Sequence, residues 1–154
     1  MITPADFITV IKSQLLKQFP GELVYENITP TGFQRPCNLV KLVGIRMKES
    51  KPNAMNLLFT YKITDYVPVD DNHISDTALL DFRTMTIVGW IFGSGYLRIG
   101  DRASQVESIQ TEHNFDYTET TVVFSCAFDR NEFQPSETLP IMEQLQMRLK
   151  EASE

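Results

Sequence analysis

The sequence predicts an α+β fold in which a mainly antiparallel sheet is flanked by an N-terminal, a central and a C-terminal helix. Two observations support this prediction. Three segments carry apolar residues at helical spacing, and three strand-like segments separate each from the next. This order lacks a regular β-α-β alternation, which favours an antiparallel sheet. The chain has 154 residues with no linker or internal repeat, so we expect a single domain over residues 1–154.

The first helix has the clearest boundaries in the sequence. Thr3 is placed to cap it, Pro4 falls at the first helical position, and Asp6 stands where a capping-box acid would. Apolar residues then recur at helical spacing as far as Phe19, and a Pro-Gly pair follows. We therefore expect one apolar stripe of this helix to face the sheet.

The next segments read as strands. A short strand over residues 23–26 is followed by a loop over residues 29–36, whose prolines and glycine prevent regular structure. Residues 37–47 carry apolar side chains on both faces, which predicts a central strand covered on both sides. Residues 55–64 alternate between apolar and polar, so an antiparallel hairpin with the preceding strand is expected.

A central helix is predicted after an acidic loop over residues 67–73. Ser75 is the expected N-cap, with Ile74 and Leu79 forming a hydrophobic staple. The helix should run to about Phe92. Its C-terminal half is apolar almost all round, so deep burial is predicted there.

The last third of the chain is predicted to be rich in strands and to end in a helix. Strands are expected over residues 96–99, 105–113 and 120–128. A C-terminal helix is expected over residues 137–152, because its leucines and a methionine form one stripe.

The two cysteines, Cys37 and Cys126, each lie within an apolar run, so buried free thiols are expected. Free thiols are typical of a reducing compartment. The first residues lack a basic region followed by an apolar core, so no signal peptide is expected. No apolar run approaches the ~18 residues of a membrane helix. We therefore expect a cytoplasmic protein that does not enter a membrane.

The formal net charge of −6 argues against a surface that grips nucleic acid, because phosphate binding relies on lysine and arginine. The basic residues are also dispersed, and Lys48, Lys51, Arg98 and Arg102 make at most a weak patch. The charge remains compatible with a surface that DNA passes without binding.

Histidine is the side chain that serves most often as an acid–base group near neutral pH. Neither His73 nor His113 has the i, i+4 partner of a zinc helix, so surface positions are expected for both. The Asp70-Asp71-Asn72-His73 cluster lacks the alternating ligands, the glycine and the distal glutamate of a calcium loop. A solvated loop is expected there, whose acids could favour the start of the next helix. No metal or cofactor is predicted.

Candidate nucleophiles are few. Gly93-Ser94-Gly95 lacks the spacing of a nucleophile elbow, and the nearby glycines match neither a phosphate loop nor a dinucleotide fingerprint. A pair between either cysteine and either histidine stays open, although a reactive cysteine needs a polar, thiolate-favouring site. No catalytic residue is predicted, and a non-enzymatic protein is expected.

A string of local features over residues 6–66 carries a family resemblance. The features are a helix ending in Phe19-Pro20, a strand with Val24-Tyr25-Glu26, the turn Thr31-Gly32-Phe33-Gln34-Arg35-Pro36-Cys37 and the strand Leu58-Phe59-Thr60-Tyr61-Lys62-Ile63. This string resembles the tail terminator, or tail completion, proteins of phages and prophages of Gram-positive bacteria.

The resemblance implies a structural virion protein that closes the end of the tail tube as a ring, for which six copies are expected. It would be assembled in the bacterial cytoplasm and would reside in the virion tail. Its partners would be further copies of itself, the tail tube and head-completion proteins, with DNA only as passing cargo.

Candidate interface residues follow from this role. Phe33 and Arg35 lie in the loop and are residue types enriched in interfaces. Phe33 could equally fold back onto the core. Asp70 and Asp71 could line a lumen that conducts DNA, because acidic side chains do not grip phosphate.

Two alternatives to the tail terminator remain open. A different structural or adaptor module with a similar α+β layout predicts partners unrelated to heads or tails. A small enzyme or ligand-binding domain predicts a deep pocket that contains His73, His113 or a carboxylate pair with perturbed titration.

Overall fold

The structure, a computed structural model, describes residues 1–133. Its elements are α1 (Pro4–Gln18), β1 (Leu23–Glu26), β2 (Cys37–Ser50), β3 (Ala54–Tyr66), α2 (Thr77–Ser94), β4 (Tyr96–Ile99), β5 (Arg102–His113), β6 (Tyr117–Asp129) and a 3-10 turn (Arg130–Phe133). The predicted α+β class is confirmed. The predicted C-terminal helix over residues 137–152 lies outside the described residues.

The six strands of residues 1–133 form one mixed sheet in the order β1-β2-β3-β6-β5-β4. β1 pairs with β2 in parallel, and the other neighbours pair antiparallel. β2 and β3 form the predicted hairpin, and β6 pairs with β3 along its whole length. The described part of the sheet is therefore mixed, because a single short strand runs parallel to its neighbour.

Both helices pack on one face of the sheet. The α1 residues Phe7, Ile11 and Leu15 are fully buried, and the Phe7 ring stacks on those of Phe59 and Tyr61, with centroids 4.7 and 5.5 Å apart. The predicted capping of α1 is confirmed, since the Asp6 carboxylate accepts hydrogen bonds from the Thr3 amide and hydroxyl. Aromatic packing between a helix stripe and the central strands thus forms the core.

β2 departs from its prediction as a strand covered on both sides. Val43, Ile45 and Met47 are 55%, 50% and 54% exposed. β1 pairs only with residues 37–40 of β2, and bulges after Leu42 and after Met47 shift the register against β3. The farther part of β2 is therefore paired with β3 alone, and its apolar side chains are exposed to solvent.

The start of α2 also differs from its prediction. Asp76, not Ser75, is the N-cap, and its Oδ1 accepts a hydrogen bond from the Leu79 amide at 3.1 Å. Ser75 is buried, and its hydroxyl donates to the carbonyl of Phe115. With Asp76 as the N-cap, Ile74 and Leu79 no longer occupy the N′ and N4 positions of a hydrophobic staple, and both are exposed.

Both thiols are free and buried, as predicted. Burial raises the pKa of Cys37 to about 11, so this thiol stays protonated at neutral pH. No helix among residues 1–133 is long and apolar enough to span a membrane.

Candidate assembly interface

The loop that precedes β2 folds back onto the sheet. The Phe33 ring lies 4.7 Å from the Tyr66 ring and meets Tyr25 edge-on at 6.5 Å, measured between centroids. The Gln34 amide donates to the Tyr25 hydroxyl at 3.3 Å. Phe33 is half-buried as a result, and the structure gives it a packing role within the chain.

Arg35 fastens the same loop to distant parts of the chain. Its guanidinium carbon lies 5.1 and 5.2 Å from the ring centroids of Phe33 and Tyr66. Its Nη1 donates to Asp116 Oδ2 at 2.6 Å and to the Val67 carbonyl at 3.1 Å. The side chain is 24% exposed, so part of it stays accessible while the rest clamps the loop.

Asp70 and Asp71 lie in an exposed turn between β3 and α2. Asp70 Oδ1 accepts hydrogen bonds from the amides of Asn72 and Ile74 at 2.9 and 2.8 Å, so this carboxylate shapes the turn. Asp71 is exposed beside it. The turn thus places an acidic surface directly before α2.

The two histidines lie on the surface of the described part of the chain, away from its cysteines. His73 is exposed, and His113 is 53% exposed, with its Nδ1 3.8 Å from Asp81 Oδ1. Within residues 1–133 no three histidine, cysteine or acidic side chains lie close enough to hold a metal ion. A cleft of 440 Å³ between α1, the end of α2 and β4 is lined by Val10, Trp90 and Tyr96, among others, and by neither histidine.

The α2 outer face is the main feature that the sequence prediction missed. We use this name for Phe82, Met85, Gly89 and Phe92, which recur every three or four residues along one side of the helix. Phe82, Met85 and Phe92 are 69%, 66% and 80% exposed. Residues 84–97 include no charged side chain. The expected deep burial is therefore wrong for this side, because a helix on one face of a sheet buries only its inner side.

The β2 outer half is a second exposed apolar surface. We use this name for residues 41–48, where the exposed Val43, Ile45 and Met47 stand among the exposed basic residues Lys41 and Arg46. A strand with apolar side chains in solvent can bind another protein surface. Basic residues between them limit non-specific pairing with strands of other chains.

A buried ionic cluster sets the orientation of α2. Arg83, only 4% exposed, donates to both oxygens of the fully buried Asp65 at 3.0 Å and to both oxygens of Glu22 at 2.7 Å. Its guanidinium carbon also lies 4.0 Å from the centroid of the Phe19 ring. Burial raises the pKa of Asp65, and the hydrogen bonds and charge of Arg83 oppose that shift.

Because Arg83 directly follows Phe82, anchoring the arginine inward holds Phe82 outward. The sequence carried a signal for this arrangement: a single arginine within the largely apolar sequence of α2, directly before Thr84. Comparison with family models and with curated proteins finds no match to this chain.

Proposed function

We propose that this protein is a tail terminator of a phage or prophage, which assembles as a ring on the end of the tail tube and mediates head–tail joining. The ring would contain six copies, with the tail tube and head-completion proteins as partners. The protein would be assembled in the bacterial cytoplasm and reside in the virion tail. No catalytic step is part of the proposal.

The observation that carries the proposal is the α2 outer face. Two phenylalanines and a methionine lie in line on this face and are more than half exposed, and apolar patches of this kind often serve as contact surfaces between subunits. The resemblance of residues 6–66 to tail terminators indicates which kind of assembly to expect, a ring on the tail tube. The net charge of −6 suits a ring through which DNA passes without binding.

The proposal gives the four predicted residues distinct places. Phe33 and Arg35 would hold the loop in the shape that a neighbour or the tube contacts, and Asp70 and Asp71 would line the lumen. It also retains the predicted mainly antiparallel sheet with three helices, of which the third, over residues 137–152, lies outside the described part of the chain.

The test measures the mass of the assembled protein and its position on the tail tube. Native mass spectrometry of the full chain should give a closed oligomer, and electron micrographs of tail tubes mixed with gold-labelled chain should show the label at one tube end. Phe92→Ser should abolish both results. Phe115→Ser is the matched control, because Phe115 is 66% exposed but lies in the β5–β6 turn.

A strictly monomeric chain that leaves tail tubes unlabelled would refute the tail terminator. A different adaptor role would be favoured if capture experiments returned partners that belong to neither heads nor tails.

A further inference from the structure

We propose that the α2 outer face of one copy docks on the β2 outer half of the next copy, so that the ring closes head to tail. This inference rests on the proposed function and specifies which two surfaces meet. It concerns the full chain and requires no additional ligand.

The first argument is that the two exposed apolar surfaces differ and lie apart. α2 packs over β3, β4, β5 and β6, whereas the β2 outer half lies on the other side of the sheet order, next to β3 alone beyond residue 40. A single self-complementary patch would close a two-fold dimer. Two different patches on one chain generate a head-to-tail contact, which closes into a ring when the rotation permits.

The second argument is charge. The exposed Asp81, 70% accessible, borders the α2 outer face, and the acidic turn with Asp70 and Asp71 precedes the helix. The β2 outer half instead carries the exposed Lys41 and Arg46. By register, Lys41 and Arg46 lie on the sheet face opposite Ile45 and Met47, so the basic and apolar side chains meet only along the open edge of β2 beyond residue 40. A contact along this edge places opposite charges together, whereas acidic groups would meet in a contact between two α2 faces.

The third argument is size. With a phenylalanine side chain presenting roughly 150–250 Å², Phe82, Met85 and Phe92 together expose on the order of 400 Å². A standard interface covers about 800 Å² on each partner, with an apolar centre and a polar rim. The outer face therefore matches the centre of one such interface, and the charged groups beside it match the rim.

Cysteine cross-linking tests the pairing. Met85→Cys and Met47→Cys place thiols on the two surfaces, and the native thiols are buried. Mixed one to one and treated with a short bifunctional maleimide, the two variants should give heterodimers, while each alone should give almost none. A chain that carries both substitutions should give a ladder whose largest band is the closed ring.

Charge reversal gives an independent test. The variant Asp71→Lys/Asp81→Lys has two basic surfaces, and the variant Lys41→Glu/Arg46→Glu has two acidic ones. Each alone should lose at least tenfold in assembly affinity. An equal mixture should recover it, because the two variants can alternate around a ring with an even number of copies.

The outcomes separate this inference from the proposed function. Cross-links within Met85→Cys alone would show paired α2 faces, and an assembled ring without cross-links would show that another surface, such as residues 134–154 of the same chain, covers α2. Either result overturns the docking and leaves the tail terminator standing. A chain that is monomeric at hundreds of micromolar overturns the docking, and unlabelled tail tubes then refute the function as well.

Discussion

Arg83 on α2 joins two carboxylates from different parts of the chain, one at the end of β3 and one just after α1. Arg83→Met should lower the free energy of unfolding by about 3–5 kcal/mol, because Asp65 and Glu22 would keep buried charges without a partner. Adding Asp65→Leu should recover part of this loss. Urea unfolding followed by circular dichroism measures both. A change below about 1 kcal/mol for Arg83→Met would show that the cluster does not anchor α2.

Cys37 links stability to alkaline pH. Its pKa is raised by burial to about 11 from an ordinary value of 9.0, so above pH 9 the unfolded chain releases a proton that the folded chain keeps. Stability is therefore full below pH 9 and falls as pH rises towards 11. The two-unit difference corresponds to roughly 2–3 kcal/mol. Denaturant unfolding of wild type and Cys37→Ala at pH 8 and pH 10.5 should show a smaller loss in the variant; equal losses would contradict the assignment.

Residue types in the sequence identified the loop over residues 29–36 as a candidate interface, but they did not predict which groups its side chains contact. Phe33 and Arg35 could be selected from sequence because aromatic residues and arginine recur in interfaces. Their partners could not, since Asp116 lies 81 residues from Arg35 and a turn between two strands brings it close. Arg83 was overlooked for the same reason: the two carboxylates that hold it come from the end of β3 and from the residues after α1.

At the scale of elements, the N-cap of α2 provides a direct test of the helix start. Asp76→Ala should reduce the free energy of unfolding by about 1 kcal/mol, because the Leu79 amide loses its acceptor. Thr77→Ala, one residue later and exposed, is the matched control and should change it by less than about 0.5 kcal/mol. Thermal or denaturant unfolding would measure both; equal effects would show that Asp76 does not cap the helix.

Local signals predicted where elements begin and end, but not how much of each is covered. The α1 cap, the stop after Phe19 and the alternation of β6 all depend on signals within a few residues of sequence, and each was confirmed. The alternation of β3 holds only for residues 59–63, because Leu58, Thr64 and Asp65 are buried as well. The exposure of the α2 outer face and the β2 outer half depends on how far α1 and α2 extend across the six strands of residues 1–133. Apolar periodicity indicates that a face avoids water but does not say whether this chain or another covers it.

At the scale of the whole molecule, the proposed assembly predicts that stability depends on protein concentration. A partner that binds only the folded state raises the melting temperature as its concentration increases. In the proposed assembly the partner is another copy, so wild-type protein should melt at a temperature that rises by several degrees between 1 and 100 µM. This rise is the thermodynamic signature of a chain whose α2 outer face is covered by association.

Phe92→Ser separates this effect from ordinary folding. Phe92 is 80% exposed, so the variant should match the melting temperature of dilute wild type and lose the rise with concentration. Ile87→Ala is the opposite control: Ile87 is fully buried on the inner side of α2, so it should melt lower at every concentration, by an amount equivalent to about 2–5 kcal/mol. Differential scanning fluorimetry across the dilution series measures all three. A contact that buries apolar surface only in the folded state must shift the folding equilibrium towards that state by mass action. If wild type melts at one temperature throughout the series, association therefore does not stabilise this chain.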